Sequence, residues 1–402
     1  MGKAKVARQW RDRKRYLWVM GPLAPACSLL PSQLVLHTGL PIFWWIGPIV
    51  FFVAIPILDF FAGDDGVNPP EEAFEELSGD RFYRWCTYLF LPVQFISLAI
   101  AGYLWSDSAL GVVDKIGLAV TIGLGSGIGI NAAHELGHRV EKHERWLAKI
   151  ALAPSAYGHF FVEHNRGHHV RVATPLDPAS SRFGESLWHF LPRTIAGGMR
   201  SAVRLEGQRL RRQGRRWFSI GNNIIQAWAM TAALFAALLV AFGWQIAPYV
   251  LINAVIAFGL LEAVNYVEHY GLLRERKSNG RYEHCAPKHS WNSDRIVTNV
   301  LLFHLQRHSD HHANPTRRYQ TLRTSDEAPQ LPAGYATMVV LALFPPLWRR
   351  VMDPLVLAHY DGDVRRTNIL PSARKRILTA HGYSDDDRVD AAVEHPRAAV
   401  PV

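Results

Sequence analysis

Six stretches of this chain are apolar for about the length a helix needs to cross a bilayer, and this pattern limits the fold more than any single motif. A spanning helix takes ~20 mostly apolar residues, and the segments 16–36, 40–61, 85–105, 116–133, 224–244 and 248–267 reach or approach that length. Only residues 37–39 separate the first two, which predicts a tight hairpin. A seventh run, 335–348, is shorter and is interrupted by Pro345-Pro346, so it reads as an interfacial or buried segment. The predicted fold is an all-α integral membrane domain over 16–348 with six transmembrane helices. A basic segment precedes it at 1–15, and a C-terminal segment, 349–402, follows it with a flexible tail from about His381.

Charge sets the expected orientation. The chain carries a net +10, and its Lys and Arg residues flank the apolar runs. Lys3, Lys5, Arg8, Arg11, Arg13, Lys14 and Arg15 precede the first span, which predicts a cytoplasmic N-terminus. The turns at 37–39 and 245–247 hold no Lys or Arg, whereas 139–223 holds many, including Arg209, Arg211, Arg212, Arg215 and Arg216. An even number of spans returns the C-terminus to the same side. A multi-pass membrane protein with both termini in the cytoplasm is expected, with no nucleic-acid partner. The three cysteines, Cys27, Cys86 and Cys285, form no Cys-x-x-Cys pair, which argues against a disulfide scaffold or an iron–sulfur centre within the chain.

The fourth apolar run holds Gly123, Gly125, Gly127 and Gly129, small-xxx-small pairs that let membrane helices approach closely. It ends at the first of four histidine groups. These are His134-Glu135-Leu136-Gly137-His138, Glu163-His164-Asn165-Arg166-Gly167-His168-His169, Glu268-His269 at the end of the sixth run, and His308-Ser309-Asp310-His311-His312. Histidines four apart share one face of a helix, so His134 with His138, and His164 with His168, are expected to point at one ion each. His169 and His311 or His312 are left to serve a second. His304 is a further, weaker candidate for reaching the site. Catalytic zinc uses three protein ligands and structural zinc four. Nine clustered histidines exceed either, and two ions account for the number. Imidazole suits iron, zinc, copper and nickel, so the spacing leaves the metal open.

The four motifs together resemble those of the alkane 1-monooxygenase family of bacterial membrane non-haem di-iron enzymes. The likeness runs to about residue 320, and 265–271 and 305–313 are its more specific parts. The resemblance implies two iron ions held by His134, His138, His164, His168, His169, His269, His308, His311 and His312. It also implies terminal hydroxylation of medium- or long-chain alkanes with O2, and electrons from rubredoxin and its reductase. Lacking a Cys-x-x-Cys, the chain implies a rubredoxin on another protein or beyond Val402. No nucleotide-binding glycine motif is present, so electrons are not expected directly from NADH.

Carboxylates usually orient metal-bound imidazoles, which makes Glu135, Glu163, Glu268 and Asp310 candidates. Glu262 lies within the sixth run, seven residues before His269 and so on nearly the same helical face. A carboxylate in a spanning helix is costly and implies a role; here the expectation is a hydrogen bond to a ligand or a place on a proton path. Trp44, Trp45, Phe51 and Phe52 are candidates for lining a substrate channel, because the family uses a bulky residue there. The basic stretch 209–216 is a candidate for steering an acidic donor. Three other readings remain open. One is a lipid desaturase or a hydroxylase of another apolar substrate. Another is an intramembrane zinc protease built on His134-Glu135-x-x-His138, and the third is a metal transporter.

Overall fold

In the computed structural model, residues 10–385 are described. The basic residues Lys3, Lys5 and Arg8 and the end of the expected flexible tail lie outside them. The chain is helical throughout, with β structure limited, among the described residues, to isolated bridges such as Asp64 with Arg295. Five helices are long and apolar enough to cross a membrane. We label the helices that build the site α1 (Pro41–Ala62), α2 (Arg81–Trp105), α3 (Val112–Gly137), α4 (160–171), α5 (Leu187–Arg212), α6 (Asn223–Phe242), α7 (Trp244–His269) and α8 (His308–Ala313).

The first expected span is not one straight helix. Arg15–Ala26 and Leu30–Thr38 meet at 70°, and they pass the length test only as a pair. Pro22, Pro25 and Pro31 explain the break, since each lacks the N–H that a continuous helix needs. The hairpin that follows turns on Gly39, whose φ of 71° is left-handed and costs glycine nothing.

The central helix is α3. Its most apolar window is 89% buried, against 17% in α1 and 22% in α6, which leaves those two facing the lipid. The glycines explain the depth of α3. A Cβ at Gly123 would collide with Ile256 and the Asn253 carbonyl, and one at Gly127 with Leu260 and the Ala257 carbonyl. On the other face, Gly129 lies against Gln94 of α2 and Gly125 against Pro25. Residues 123 and 127 thus meet α7 at matching steps, so α3 and α7 run parallel and their C-terminal ends, His134 and His269, reach the same level.

The remaining elements close over that end. Asp59 at the end of α1 accepts from the Thr298 amide (3.0 Å) and hydroxyl, fixing the Ile296–Leu301 helix that leads to α8. Lys14 pairs with Asp65 and Arg15 with Asp80, so the described part of the N-terminal basic block lies at the same end as the histidines. The C-terminal segment returns there too, through Asn368 to Gly271 (3.0 Å). A helix, Pro345–His359, crosses the expected boundary at 348 and buries Trp348, Met352 and Val356, so the core continues past that boundary.

Candidate metal centre

The nine clustered histidines converge in two groups. His134, His138, His164, His169 and His311 form one, and His168, His269, His308 and His312 form the other. Within each, the potential ligand atoms all lie within 4.8 Å of one another. The contacts run between Nε2 atoms. In the five-histidine group His134 is 2.9 Å from His311, His164 is 3.1 Å from His138, and His169 is 2.9 Å from His164. In the four-histidine group His312 is 2.9 Å from His308 and 3.2 Å from His168, and His308 is 3.3 Å from His269.

This arrangement fits metal ions. A metal–imidazole bond of about 2.0–2.1 Å places neighbouring nitrogens roughly 3 Å apart, the spacing seen. A neutral imidazole has one N–H and one lone pair, so hydrogen bonding alone cannot satisfy four or five mutually facing nitrogens. Behind the rings, Nδ1 of His169, His269, His308 and His312 has no hydrogen-bond partner among the described residues. Burial, reinforced by the neighbouring imidazoles, holds His138, His164, His169, His308, His311 and His312 well below the usual histidine range. The rings are therefore neutral, the form that ligates.

The partition of the second motif differs from the α-helical expectation. His164 joins His169 in one group, while His168 joins the other. The cause is a π turn at His164–His168 inside α4, which aligns residues five apart instead of four. His308 and His312, one α turn apart, share the four-histidine group, and His311 faces the five-histidine group. His304 does not join either. Phe303 and His304 adopt left-handed φ values of 49° and 55°, which turns the His304 ring away to the Tyr319 carbonyl (2.9 Å) and Lys14 (2.8 Å).

Most of the candidate carboxylates brace the surroundings. Glu135 pairs with Arg139 (2.9 Å), Glu163 with Arg171 (2.7 Å), and Asp310 with Arg317 (2.7 Å) and Asn314 (2.8 Å). None of these contacts is to a clustered histidine. Burial raises the Glu163 carboxyl to about 7, opposed by Arg171. Glu268 does reach the site: its Oε2 is 3.2 Å from Nε2 of His308, on the ligand face of that ring. Glu262 touches no clustered histidine; it accepts from Tyr157 (2.7 Å), Thr194 (2.8 Å) and Asn265 (3.1 Å). The carboxylate that holds a ligand ring from behind is Asp177, which accepts from His168 Nδ1 (2.9 Å) and Ser180 (2.7 Å). These partners hold it below the usual carboxylate range. No spacing rule ties Asp177 to the histidine motifs; the sequence offers only an Asp-Pro turn.

An apolar cavity of about 70 Å³ leads from the histidines into the membrane domain. His134, His164, His308 and Glu268 line its inner end, and Leu260, Leu261, Val264, Ile128, Val339 and Ile55 line its length. Phe51 and Phe52 form part of its wall, exposed by a second π turn at Val50–Ala54 ahead of Pro56. Trp44 and Trp45 do not line it: the Trp44 carbonyl accepts from Thr121 (2.9 Å), and Trp45 packs over Gly117. No Lys or Arg lines the cavity among the described residues.

Comparison with known proteins agrees with this geometry. A family model for fatty acid desaturases matches residues 115–342, which include all nine clustered histidines. The chain is 43% identical to an alkane 1-monooxygenase of Acinetobacter baylyi over 385 residues, covering 94% of both chains. An alkane 1-monooxygenase of Pseudomonas putida is 42% identical over 392 residues, 96% of this chain and 98% of the other. The hydroxylase component of a xylene/toluene monooxygenase from Pseudomonas putida is more distant, 25% identical over 356 residues, 87% of this chain and 90% of the other. At these identities, over nearly the whole length, the chain belongs to the alkane 1-monooxygenase family.

Proposed function

We propose that this protein hydroxylates the terminal carbon of medium- or long-chain n-alkanes, RCH3 + O2 + 2e⁻ + 2H⁺ → RCH2OH + H2O. The observation that carries the reading is the apolar cavity, with no Lys or Arg among its described lining residues, that ends on Glu268 and two groups of converging imidazoles. A terminal C–H bond offers no handle for acid–base chemistry. Two iron ions, one per histidine group, would supply the oxygen activation that such a bond requires. The nine histidines hold them, the apolar walls accept the chain and keep water from it, and Phe51 and Phe52 limit how deep the chain lies.

The side of the membrane follows from charge. The basic residues Arg11, Arg13, Lys14 and Arg15 share the end of the molecule that carries the histidines, and the positive-inside rule puts that end in the cytoplasm of a bacterial inner membrane. Rubredoxin, reduced by its reductase, is the proposed donor there. Of the 209–216 arginines, Arg209 is engaged with Glu206, whereas Arg211, Arg212, Arg215 and Arg216 are exposed and suit an acidic partner.

The test is a purified preparation in nanodiscs, with iron and zinc counted per chain and octane to dodecane supplied with rubredoxin, its reductase, NADH and air. Two irons per chain and O2-dependent 1-alkanol are expected. The match to the fatty acid desaturase model favours one second reading, an acyl-chain desaturase or hydroxylase. Two irons with acyl products and no alkanol would select it. One zinc and no O2 uptake would refute both.

A further inference from the structure

The hydroxylation just proposed consumes two protons at a centre whose substrate side is apolar, so protons must enter elsewhere. A second, smaller cavity of about 20 Å³ shares Phe160, His164 and Asn265 with the first and is large enough for one water. Its polar walls are Tyr157, His159, Glu163, Thr194, Glu262 and Asn265, with the clustered histidines His164 and His168. Nδ1 of His159 and Oε2 of Glu163 are buried and have no hydrogen-bond partner among the described residues. A buried polar atom left unpaired costs ~1–3 kcal/mol, and a water in this chamber would serve both.

Glu262 is the one carboxylate on this wall that belongs to a spanning helix. Its three partners, the Tyr157 and Thr194 hydroxyls and the Asn265 amide, are all neutral. Among the described residues no ion pair reaches it. Three neutral donors would hold a glutamine in the same place, so structural need does not explain a carboxyl group there. Asn265 lines both cavities and donates to Glu262, which makes it the partition between the polar chamber and the apolar one.

We propose that this chamber is the water-filled proton entrance of the centre and that Glu262 passes protons across the partition at Asn265. The inference rests on the oxygenase reading above. In each transfer, a proton from bulk solvent passes to the chamber water as it gives one up to the Glu262 carboxylate, so the water is left unchanged. The carboxyl then releases it toward the oxygen atom of O2 that departs as water, which restores the carboxylate. Two transfers per turnover match the two electrons from the donor.

The test uses the full chain in nanodiscs with rubredoxin, its reductase, NADH and octane, comparing wild type with Glu262→Gln. Iron content and the KM for octane are expected to stay within twofold of wild type. The kcat is expected to fall ~10²-fold, the scale of lost proton transfer, with a larger solvent deuterium isotope effect and more hydrogen peroxide per NADH. Gly198→Ala, which narrows the chamber without touching Glu262 or a clustered histidine, is expected to shift kcat and the isotope effect in the same direction, and it carries the test if Glu262→Gln does not accumulate. Wild-type kcat and isotope effect in Glu262→Gln with full iron would overturn the proposal. So would a loss of iron with an unchanged isotope effect, which would make Glu262 a structural support. A wild-type protein that forms no alkanol from any chain length would instead refute the oxygenase reading.

Discussion

Asp177→Asn tests whether the two histidine groups are separate metal sites. Asp177 is fully buried and touches one clustered histidine, His168, through Nδ1. That contact fixes the ring so that Nε2 faces His312 and the rest of the four-histidine group. Asparagine keeps the volume and one acceptor but removes the charge. Losing such an outer partner typically costs 10–100-fold in metal affinity, or about 1.4–2.8 kcal/mol at roughly 1.4 kcal/mol per tenfold. This is the range expected of one charge-assisted hydrogen bond, ~1.5–3 kcal/mol.

The cost should fall on one group only. His164 precedes His168 by four residues but faces the five-histidine group, and among the described residues no hydrogen bond ties that group to Asp177. Dialysis against rising chelator, with iron counted per chain, is expected to strip one iron from Asp177→Asn at a concentration 10–100-fold below that needed for the other. Alkanol formation should fall with the first loss. Both irons leaving together, or no change in either, would refute the division into two groups held by different outer contacts.

Phe51→Ala is expected to shift the product profile toward longer alkanes, whereas Trp45→Ala, away from the cavity, should lower the melting temperature and leave the profile unchanged. Gas chromatography of alkanols from a series of chain lengths reads both. Inserting one alanine after His164 places His169 six residues on, off the face that the π turn of α4 aligns with His164, so iron content is expected to drop by at least one per chain. Gly123→Val wedges α3 from α7 against Ile256 and the Asn253 carbonyl, at a cost of ~1–3 kcal/mol. Because His134 and His269 ride on those helices, chelator should remove its iron more readily than in wild type.

Spans and ligand clusters were legible in the sequence because each is written in composition. The runs that became α2, α3 and α6 lack charges over a bilayer's width, that of α7 holds only Glu262, and nine histidines fall in four short segments. Partition between the groups was hidden, because His164 and His168 look like an α-helical pair and only the π turn sends them apart. Asp177 was hidden for a different reason: its contact with His168 depends on how the loop at 174–180 folds back, which no periodicity records. Carboxylates inside the motifs drew attention by proximity in sequence, yet Glu135, Glu163 and Asp310 sit on the outer side and pair with arginines. The bend in the first span was written in Pro22, Pro25 and Pro31, and hydropathy alone passed over it.

One helix separates the two supplies that the reaction needs. Along α7, Leu260, Leu261, Val264 and Glu268 face the apolar cavity, Glu262 faces the polar chamber, and Asn265 borders both. Glu262, Asn265 and His269 lie three and four residues apart, so they form one row leading to the four-histidine group. The leucine row lies about 100° round the helix, one residue's rotation. The hydrocarbon and the protons therefore approach by different faces of the same element, and the oxidant is kept from water on the side where the substrate lies. Leu261→Gln breaks that separation without touching a ligand. It places an amide in the apolar wall, where burial without a partner costs ~1–3 kcal/mol, and the amide is expected to draw water into the cavity. Iron content should match wild type, while the alkanol formed per NADH falls and hydrogen peroxide rises in proportion. If Leu261→Gln keeps wild-type coupling, an apolar wall at this position is not what protects the reaction, and the division of labour between the two faces of α7 is wrong.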